Sequence, residues 1–245
     1  MSATWRMTRT EMKLFLREPM AVFFTLVFPL MMLFLFGSIF GNDPDPDLGG
    51  RGSVDVSVPG YAAVIIATAG LLGLPITLAS YRAQGVLRRF RATPIHPHVV
   101  LVAQLAVHLL VVTAGSLLLV VAGRLAFGLH LPSATGATLV AFLASAASIF
   151  ALGFMLASVL PNARTAQAVG MTMLFPMMFL SGAALPRQLL SETMQDVARA
   201  LPLTHVVNLI DDAWTGAGWN VPALVVLAVV LVIGSGVSFR VFRWE

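Results

Sequence analysis

Long stretches without a charged residue dominate the chain. Six segments run for about 20 residues without Asp, Glu, Lys or Arg, the length that a helix needs to cross the hydrocarbon core of a bilayer. A charge at the centre of a span costs about 2.5–3.5 kcal/mol, so six charge-free segments together indicate an all-α polytopic membrane protein. The predicted spans lie at about 21–40, 58–80, 99–123, 134–160, 165–185 and 221–239.

The connections between the predicted spans set their orientation. Of the 15 Lys and Arg residues, eleven lie in the N-terminal segment and in every second connection after it. Positively charged connections stay in the cytoplasm, so both termini are predicted to be cytoplasmic, in a cell (plasma or inner) membrane. The four Trp residues lie outside the predicted spans or at their edges, as expected of rings that favour the membrane interface.

Composition excludes most soluble classes. Apolar residues make up 58% of the 245 residues and charged residues 11%, against about 45–50% and about 25% in a soluble domain. So few charges cannot cover a water-facing surface, which excludes a soluble enzyme, a disordered protein and a nucleic-acid-binding domain. The chain has no Cys, which excludes a disulfide framework, a thiolate zinc site and a cysteine nucleophile.

The first 19 residues carry a basic stripe and an apolar stripe at helical spacing. This pattern is typical of an amphipathic helix that lies in the headgroup region of a membrane. Ordinary positive flanking of the first span is the alternative. Pro19 separates this predicted membrane-surface helix (1–19) from a six-span domain (20–245). The basic stripe comprises Arg6, Thr10, Lys13 and Arg17, and the apolar stripe Trp5, Met12, Phe15 and Leu16.

The connection between the second and third spans combines basic residues with an apolar pair. Leu87 and Phe90 are three residues apart and therefore share one face of a helix, which Pro94 and Pro97 end. An apolar ridge on a short basic helix favours docking into a groove of another protein, although an interfacial helix that contacts only lipid would share the pattern. The arginines around the pair are Arg82, Arg88, Arg89 and Arg91.

Two polar residues interrupt the third span. His108 lies near the middle of the membrane, and Gln104 precedes it by one helical turn. Side chains at that depth hydrogen-bond to each other, to a neighbouring helix or in a cavity, so a structural contact or a place on a substrate path is expected. A lipid-modifying enzyme would need His108 together with Asp211 or Asp212, which the predicted topology places at a different level.

The connections predicted to be external carry no recognisable catalytic or metal-binding motif. An EF-hand loop that starts at Asp43 would need Gly at position 48 and Glu at position 54, where the chain has Leu48 and Val54, so no metal site is expected. Residues 186–200 predict a short amphipathic helix, and residues 206–214 a second one. The chain also lacks a phosphate-binding loop. An acid within a span, which an ion-driven carrier normally shows, is absent as well.

Four motifs together give the chain a family resemblance. It resembles the ABC type-2 permease family, the membrane subunits of ATP-driven exporters of drugs, lipids and polysaccharides, and especially the drug-resistance-like branch of that family. The resemblance covers essentially the whole chain, and the Arg-Ala-Thr-Pro loop is its most specific part. The motifs are Phe15-Leu-Arg-Glu-Pro19, Tyr81-Arg-x-x-Gly85-x-Leu87-x-Arg89-x-Arg-Ala-Thr93-Pro94, Phe175-Pro-x-x-x-x-Ser181-Gly182 and Leu201-Pro-Leu-Thr-His205.

The resemblance implies the assembly and its partners. It implies that 84–93 is a coupling helix seated on a separate ATP-binding subunit, and that 3–17 is a connecting helix on the cytoplasmic leaflet. ATP and Mg²⁺ would be bound by the partner subunit and not by this chain. Two permease chains, identical or different, would enclose the substrate path. The implied docking residues are Arg82, Gln84, Gly85, Leu87, Arg88, Arg89, Phe90, Arg91 and Thr93.

The aromatic residues suggest the chemistry of the cargo. Glycan paths are lined by Tyr and Trp, but the spans of this chain carry Phe and Met instead. A lipophilic or amphipathic substrate, a drug, antibiotic or lipid, is therefore the expected cargo. A secondary carrier or channel without an ATPase partner, or a purely structural subunit, is the alternative.

Overall fold

A computed structural model describes residues 3–86, 98–184 and 190–241, and these residues are mostly helical. The first helix precedes a bundle of long apolar helices, and two short helices lie before the last long one. The helices are α1 (Ala3–Leu16), α2 (Pro19–Phe40), α3 (Ser53–Ala83), α4 (His98–Phe127), α5 (Thr135–Val159), α6 (Ala163–Leu180), α7 (Glu192–Arg199), α8 (Pro202–Thr215) and α9 (Val221–Val241).

Among the described residues, five helices are long and apolar enough to cross a membrane, where the sequence predicts six spans. These are α2, α3, α4, α5 and α9. The predicted span 165–185 forms α6, an 18-residue helix that stops short of the predicted end. Its first two turns contain Arg164, Thr165 and Gln167, which lower its apolar character, and Gly182 takes a left-handed conformation (φ 85°) just after the helix ends.

The centre of the bundle is α3, which packs against α2, α4, α5, α6 and α8. Of its most apolar 18-residue stretch, 83% is buried inside the protein, whereas for α9 the share is 17%. The hydrophobic core therefore surrounds α3, and the outer faces of the other long helices remain exposed for lipid or for a partner chain.

Two prolines within the long helices are each preceded by a π-helical turn. The turn Phe23–Val27 comes just before Pro29 in α2, and the turn Ala69–Gly73 just before Pro75 in α3. Proline has no N–H and leaves a backbone carbonyl of the preceding turn without its usual helical partner, and a wider π turn accommodates that defect. A further proline, Pro176, lies inside α6.

Glycines let neighbouring helices approach the π turn of α3. A Cβ atom at Gly153 of α5 would overlap the carbonyl oxygen of Gly70, and one at Gly170 of α6 would overlap that of Leu71. Both oxygens belong to backbone that cannot move independently. The two glycines therefore set how closely α5 and α6 pack on α3.

Polar contacts tie the connections together at the end of the bundle opposite α1. Asp55, at the start of α3, accepts hydrogen bonds from the backbone N–H of His130 (2.9 Å) and pairs with its Nδ1 atom (2.8 Å). Asp211 of α8 forms an ion pair with Arg51 at 2.9 Å. These contacts join three parts of the protein: α8, the connection that precedes α3 and the connection that precedes α5.

Candidate functional site

The predicted docking segment lies only partly within the described residues. Arg82, Gln84 and Gly85 are described, and Gln84 donates a hydrogen bond from Nε2 to Ser80 Oγ at 2.8 Å. The rest of the implied docking set lies outside the described residues. These remaining positions are Leu87, Arg88, Arg89, Phe90, Arg91 and Thr93.

Arg82 joins the end of α3 to the end of α5. Its guanidinium donates to the backbone carbonyl oxygens of Ser158 (3.4 Å) and Leu160. The last carbonyls of a helix have no partner within the helix and carry partial negative charge, so a cation is favourable there. The last turn before the docking segment is thus fixed to a neighbouring helix.

The surface of α1 differs in one respect from the two-stripe pattern. Arg6, Lys13 and Arg17 are exposed, as the predicted basic stripe requires, and Trp5 is 53% exposed. Phe15 is half-buried. However, the face that packs against α4 is centred on polar residues, which the sequence analysis did not single out. Among them, Thr8 is 6% exposed and Glu11 is 4% exposed.

Glu11 is the hub of a buried polar cluster. Tyr81 donates a hydrogen bond from Oη to Glu11 Oε2 at 2.6 Å, and Gln104 donates from Nε2 to the same oxygen at 2.6 Å. Burial raises the pKa of Glu11, and the two hydrogen bonds oppose that shift in part. Because Tyr81 lies near the end of α3 and Gln104 near the start of α4, one carboxylate joins α1 to both helices that flank the docking segment.

The polar pair predicted within the third span is brought together. His108 contacts the backbone carbonyl oxygen of Gln104 through Nδ1 at 2.9 Å, while the side chain of Gln104 contacts Glu11. The other ring nitrogen, Nε2, is buried without a hydrogen-bond partner. The ring of Phe150 packs edge-on against His108, with 6.2 Å between ring centroids.

A cavity of about 730 Å³ adjoins this cluster. It lies between α1, α2, α3, α4 and α6. Its wall combines an acid, an imidazole, a phenol and amides with large apolar side chains. The lining includes Glu11, Tyr81, Gln104, His108 and Gln167 on the polar side and Phe15, Phe24, Leu72, Ile76 and Met171 on the apolar side.

The single acidic residue of α1 is the feature of the sequence that could have indicated this cluster. Glu11 is the one carboxylate within Ala3–Leu16, in a segment otherwise rich in bases, and Thr8 precedes it by one turn on the same face. Such a pair at helical spacing marks a possible polar contact face. Its partners Tyr81 and Gln104 could not be assigned, because they depend on how α1 packs against the bundle.

Comparison with known proteins identifies the family. No curated protein matches the chain. A family model described as ABC-2 type transporter matches residues 2–213, most of the chain. Members of that family are membrane permease components of ABC transporters and work with a separate ATP-binding subunit. The five apolar helices agree with such a multi-pass membrane protein. The chain belongs to the ABC-2 type transporter family.

Proposed function

We propose that this chain is the transmembrane permease subunit of an ATP-driven exporter for a lipophilic or amphipathic compound, a drug, antibiotic or lipid. ATP and Mg²⁺ bind to a separate subunit, which hydrolyses the nucleotide. Family membership supports the permease role. The observation that carries the mechanism is the bonding of one α1 carboxylate to both helices that flank the docking segment.

The proposed topology has six spans and cytoplasmic termini in the cell membrane. In this arrangement α6 is the fifth crossing, although its first turns are polar, and α7 and α8 lie outside the cell. The excess of basic residues in the N-terminal segment and in alternate connections supports this orientation. With α1 on the cytoplasmic surface, residues 1–19 serve as a connecting helix and residues 20–245 as the permease domain.

The proposed docking element is the segment 84–93. Leu87 and Phe90 would enter an apolar groove of the ATP-binding subunit, and the neighbouring arginines would contact its polar rim. A second permease chain, identical or different, would complete the substrate path. Within the family, the motif around Thr93 and Pro94 favours placement of this chain in the drug-resistance-like branch.

Motion at the docking segment would reach four helices at once. A displacement of the segment pulls directly on the end of α3 and on the start of α4. The hydrogen bonds of Glu11 to Tyr81 and Gln104 add α1 to the moving unit, and Arg82 adds the end of α5. These contacts support a mechanism in which closure of the ATPase pair switches the path from inward-open to outward-open.

A pull-down from the native membrane tests the proposal. Wild type is compared with the double variant Leu87→Asp/Phe90→Asp and with the control Met194→Asp/Val197→Asp. The control pair has the same spacing on the exposed face of α7, with Met194 49% and Val197 53% exposed. We expect an ATP-binding subunit to copurify with wild type and with the control but not with the double variant of the docking segment.

Two results would contradict this assignment. A stable wild-type protein that brings down no ATP-binding subunit would favour a secondary carrier or channel. If the variant Leu87→Asp/Phe90→Asp retains the subunit, 84–93 is not the docking element, whereas loss from both double variants would attribute the loss to general destabilisation.

A further inference from the structure

The open side of the cavity beside Glu11 is a cleft between α2 and α6. Both helices line the cavity and both pack against α3, but within the described residues they are not a closely packed pair. The floor of the cleft is a stripe of α3 at helical spacing, half-buried where the rest of the helix between Val58 and Tyr81 is buried. All members of this stripe line the cavity, so the gap between the two helices opens onto it. They are Gly73, Ile76, Thr77, Ser80 and Tyr81.

The lining of the cleft changes from charged to apolar along α3. At one end, the mouth of the cleft is formed by three exposed charged residues, Arg17, Glu18 and Arg164. From there the cavity follows α3 from Tyr81 to Thr68, a distance of about 20 Å at a rise of about 1.5 Å per residue. One leaflet contributes about half of the hydrocarbon core of about 30 Å, so the cleft has the depth of a leaflet. The large apolar side chains along it are Phe24, Leu72, Ile76 and Met171.

Two arginines give the mouth a net positive charge. Arg17 follows α1, and Arg164 lies in the first turn of α6. Neither guanidinium forms an ion pair with a residue that the structure describes, whereas Arg51 and Arg199 are paired with carboxylates. A guanidinium binds phosphate through parallel N–H donors, and Glu18 is outnumbered by the two cations. The mouth therefore favours a phosphate group.

The buried carboxylate of the cavity is set back from the mouth. Glu11 precedes Arg17 by more than one helical turn, and its Oε2 atom accepts hydrogen bonds from Tyr81 and Gln104. A phosphate at the exposed arginines thus remains in the solvated part of the site, where the repulsion from Glu11 is weak.

The order of polar and apolar surface matches one class of molecule. The starts of α2 and α6 and the end of α3 lie at the mouth, which the proposed topology places at the cytoplasmic surface. A phospholipid of that leaflet has its phosphate at the surface and its acyl chains directed toward the centre of the bilayer. An anionic headgroup adds charge complementarity to this match.

We propose that the cleft between α2 and α6 binds an acidic phospholipid, with its phosphate on Arg17 and Arg164 and an acyl chain along α3. The assignment to the cytoplasmic leaflet rests on the proposed topology. Binding itself needs neither the ATP-binding subunit nor nucleotide. A second permease chain seated in the cleft is the competing occupant, and the experiment distinguishes it from lipid.

Native mass spectrometry measures bound lipid and oligomeric state in one spectrum. The purified full chain in detergent is titrated with phosphatidylglycerol or with phosphatidylcholine of the same acyl chains. The two lipids share the phosphate and the tails and differ in net charge. We expect the first phosphatidylglycerol to bind about tenfold tighter than phosphatidylcholine.

Arginine variants assign the preference to the mouth. Arg17→Gln/Arg164→Gln should abolish the preference for phosphatidylglycerol, whereas Arg17→Lys/Arg164→Lys should retain most of it because the charge remains. The matched control is Arg6→Gln/Arg9→Gln, which makes the same change in net charge at exposed arginines of α1 that do not line the cavity. The control should keep the preference of wild type.

A steric variant tests the position of the acyl chain. Ala21 of α2 lines the cavity and is half-buried, so Ala21→Trp fills part of the cleft without changing its charge. Ala147→Trp, at an exposed position of α5, is the matched control. Bound phosphatidylglycerol should decrease about tenfold for the first variant only. Melting temperatures show whether both variants fold, and the arginine variants decide the question if Ala21→Trp does not.

Three results would overturn the proposal. Equal binding of the two lipids to wild type would exclude recognition of the anionic headgroup. An equal loss from the two Arg→Gln pairs would show only a general attraction to the basic surface of α1. A dimer that carries no phosphatidylglycerol would place a second chain in the cleft. Since the assay contains no ATP-binding subunit, each of these results is distinct from a failed pull-down.

Discussion

Arg51 and Asp211 form a two-point ion pair across 160 residues of sequence. Nη2 of Arg51 lies 2.9 Å from Oδ1 of Asp211, and Nη1 lies 3.2 Å from Oδ2. The same Nη2 donates to the backbone carbonyl oxygen of Asp55 at 2.7 Å. One guanidinium therefore holds α8 against the start of α3, at the end of the bundle opposite α1.

Asp211→Asn should lower the free energy of unfolding by about 1 kcal/mol. The side chains of Arg51 and Asp211 are 28% and 31% exposed, so solvent screens the pair only in part. Thermal unfolding in detergent provides the measurement. Asp43→Asn, at an exposed carboxylate, is the matched control and should have little effect. Equal effects of the two variants would show that the ion pair does not stabilise the fold.

Alanine at either close-packed glycine should destabilise the protein by about 2 kcal/mol or more. A Cβ atom at Gly153 or Gly170 would overlap a backbone carbonyl of the π turn in α3, and backbone cannot move aside as a flexible side chain can. Gly236→Ala is the control, since a Cβ atom there would have no heavy atom within 4 Å. Unfolding temperatures in the same detergent should fall for the first two variants and hold or rise for the third.

The stability difference between wild type and Glu11→Gln should depend on pH. Burial raises the pKa of Glu11 from its ordinary value of 4.5, so the folded state binds a proton more readily than the unfolded state. Protonation of Glu11 therefore stabilises the folded state. This stabilisation is complete below the pKa of Glu11 in the unfolded state and is lost as the pH rises through its pKa in the folded state. Wild type should therefore gain stability relative to Glu11→Gln between about pH 8 and about pH 4.

Melting temperatures of both proteins across that range provide the measurement. Subtracting the variant removes the contribution of every other titrating group that the two proteins share. If the melting temperature of wild type relative to Glu11→Gln does not change with pH, or falls as the pH decreases, Glu11 is not desolvated in the folded protein.

Single cysteines test whether α6 crosses the membrane. The chain has no Cys, so Pro161→Cys and Glu192→Cys each introduce one thiol, one before α6 and one after it. Labelling of intact cells with a thiol reagent that does not cross the membrane should modify position 192 but not position 161, and permeabilised cells should label both. Labelling of both positions, or of neither, in intact cells would place the two ends of α6 on one side and contradict six spans.

The sequence predicts the long helices well because a bilayer imposes a simple requirement on length and polarity. The segments 21–40, 99–123 and 221–239 match α2, α4 and α9 to within a few residues. By contrast, α3 starts five residues before the predicted span, at Ser53. The discrepancy has a physical reason, since Asp55 lies within this helix and its charge is compensated by contacts with Asn42 and His130 that sequence spacing does not reveal.

The polar cluster around Glu11 shows where sequence reasoning ends. Helical periodicity identified a basic and an apolar stripe on α1, and Arg6, Lys13 and Arg17 of the basic stripe are exposed. Periodicity could not identify which face of α1 packs against α4, because that depends on the surface of α4. For the same reason the free Nε2 atom of His108 could be found only from the packed bundle.

The central place of α3 also limits how the chain can change during evolution. A helix surrounded by neighbours must satisfy all of them at once, so a new side chain at most positions of α3 needs compensating changes on other helices. A helix such as α9, most of whose surface is exposed, has fewer neighbours to satisfy, and exchanges among Val, Leu and Ile on its exposed face are nearly neutral. A saturation-mutagenesis map of the gene should therefore show intolerance concentrated in α3, with α9 as the most permissive of the long helices.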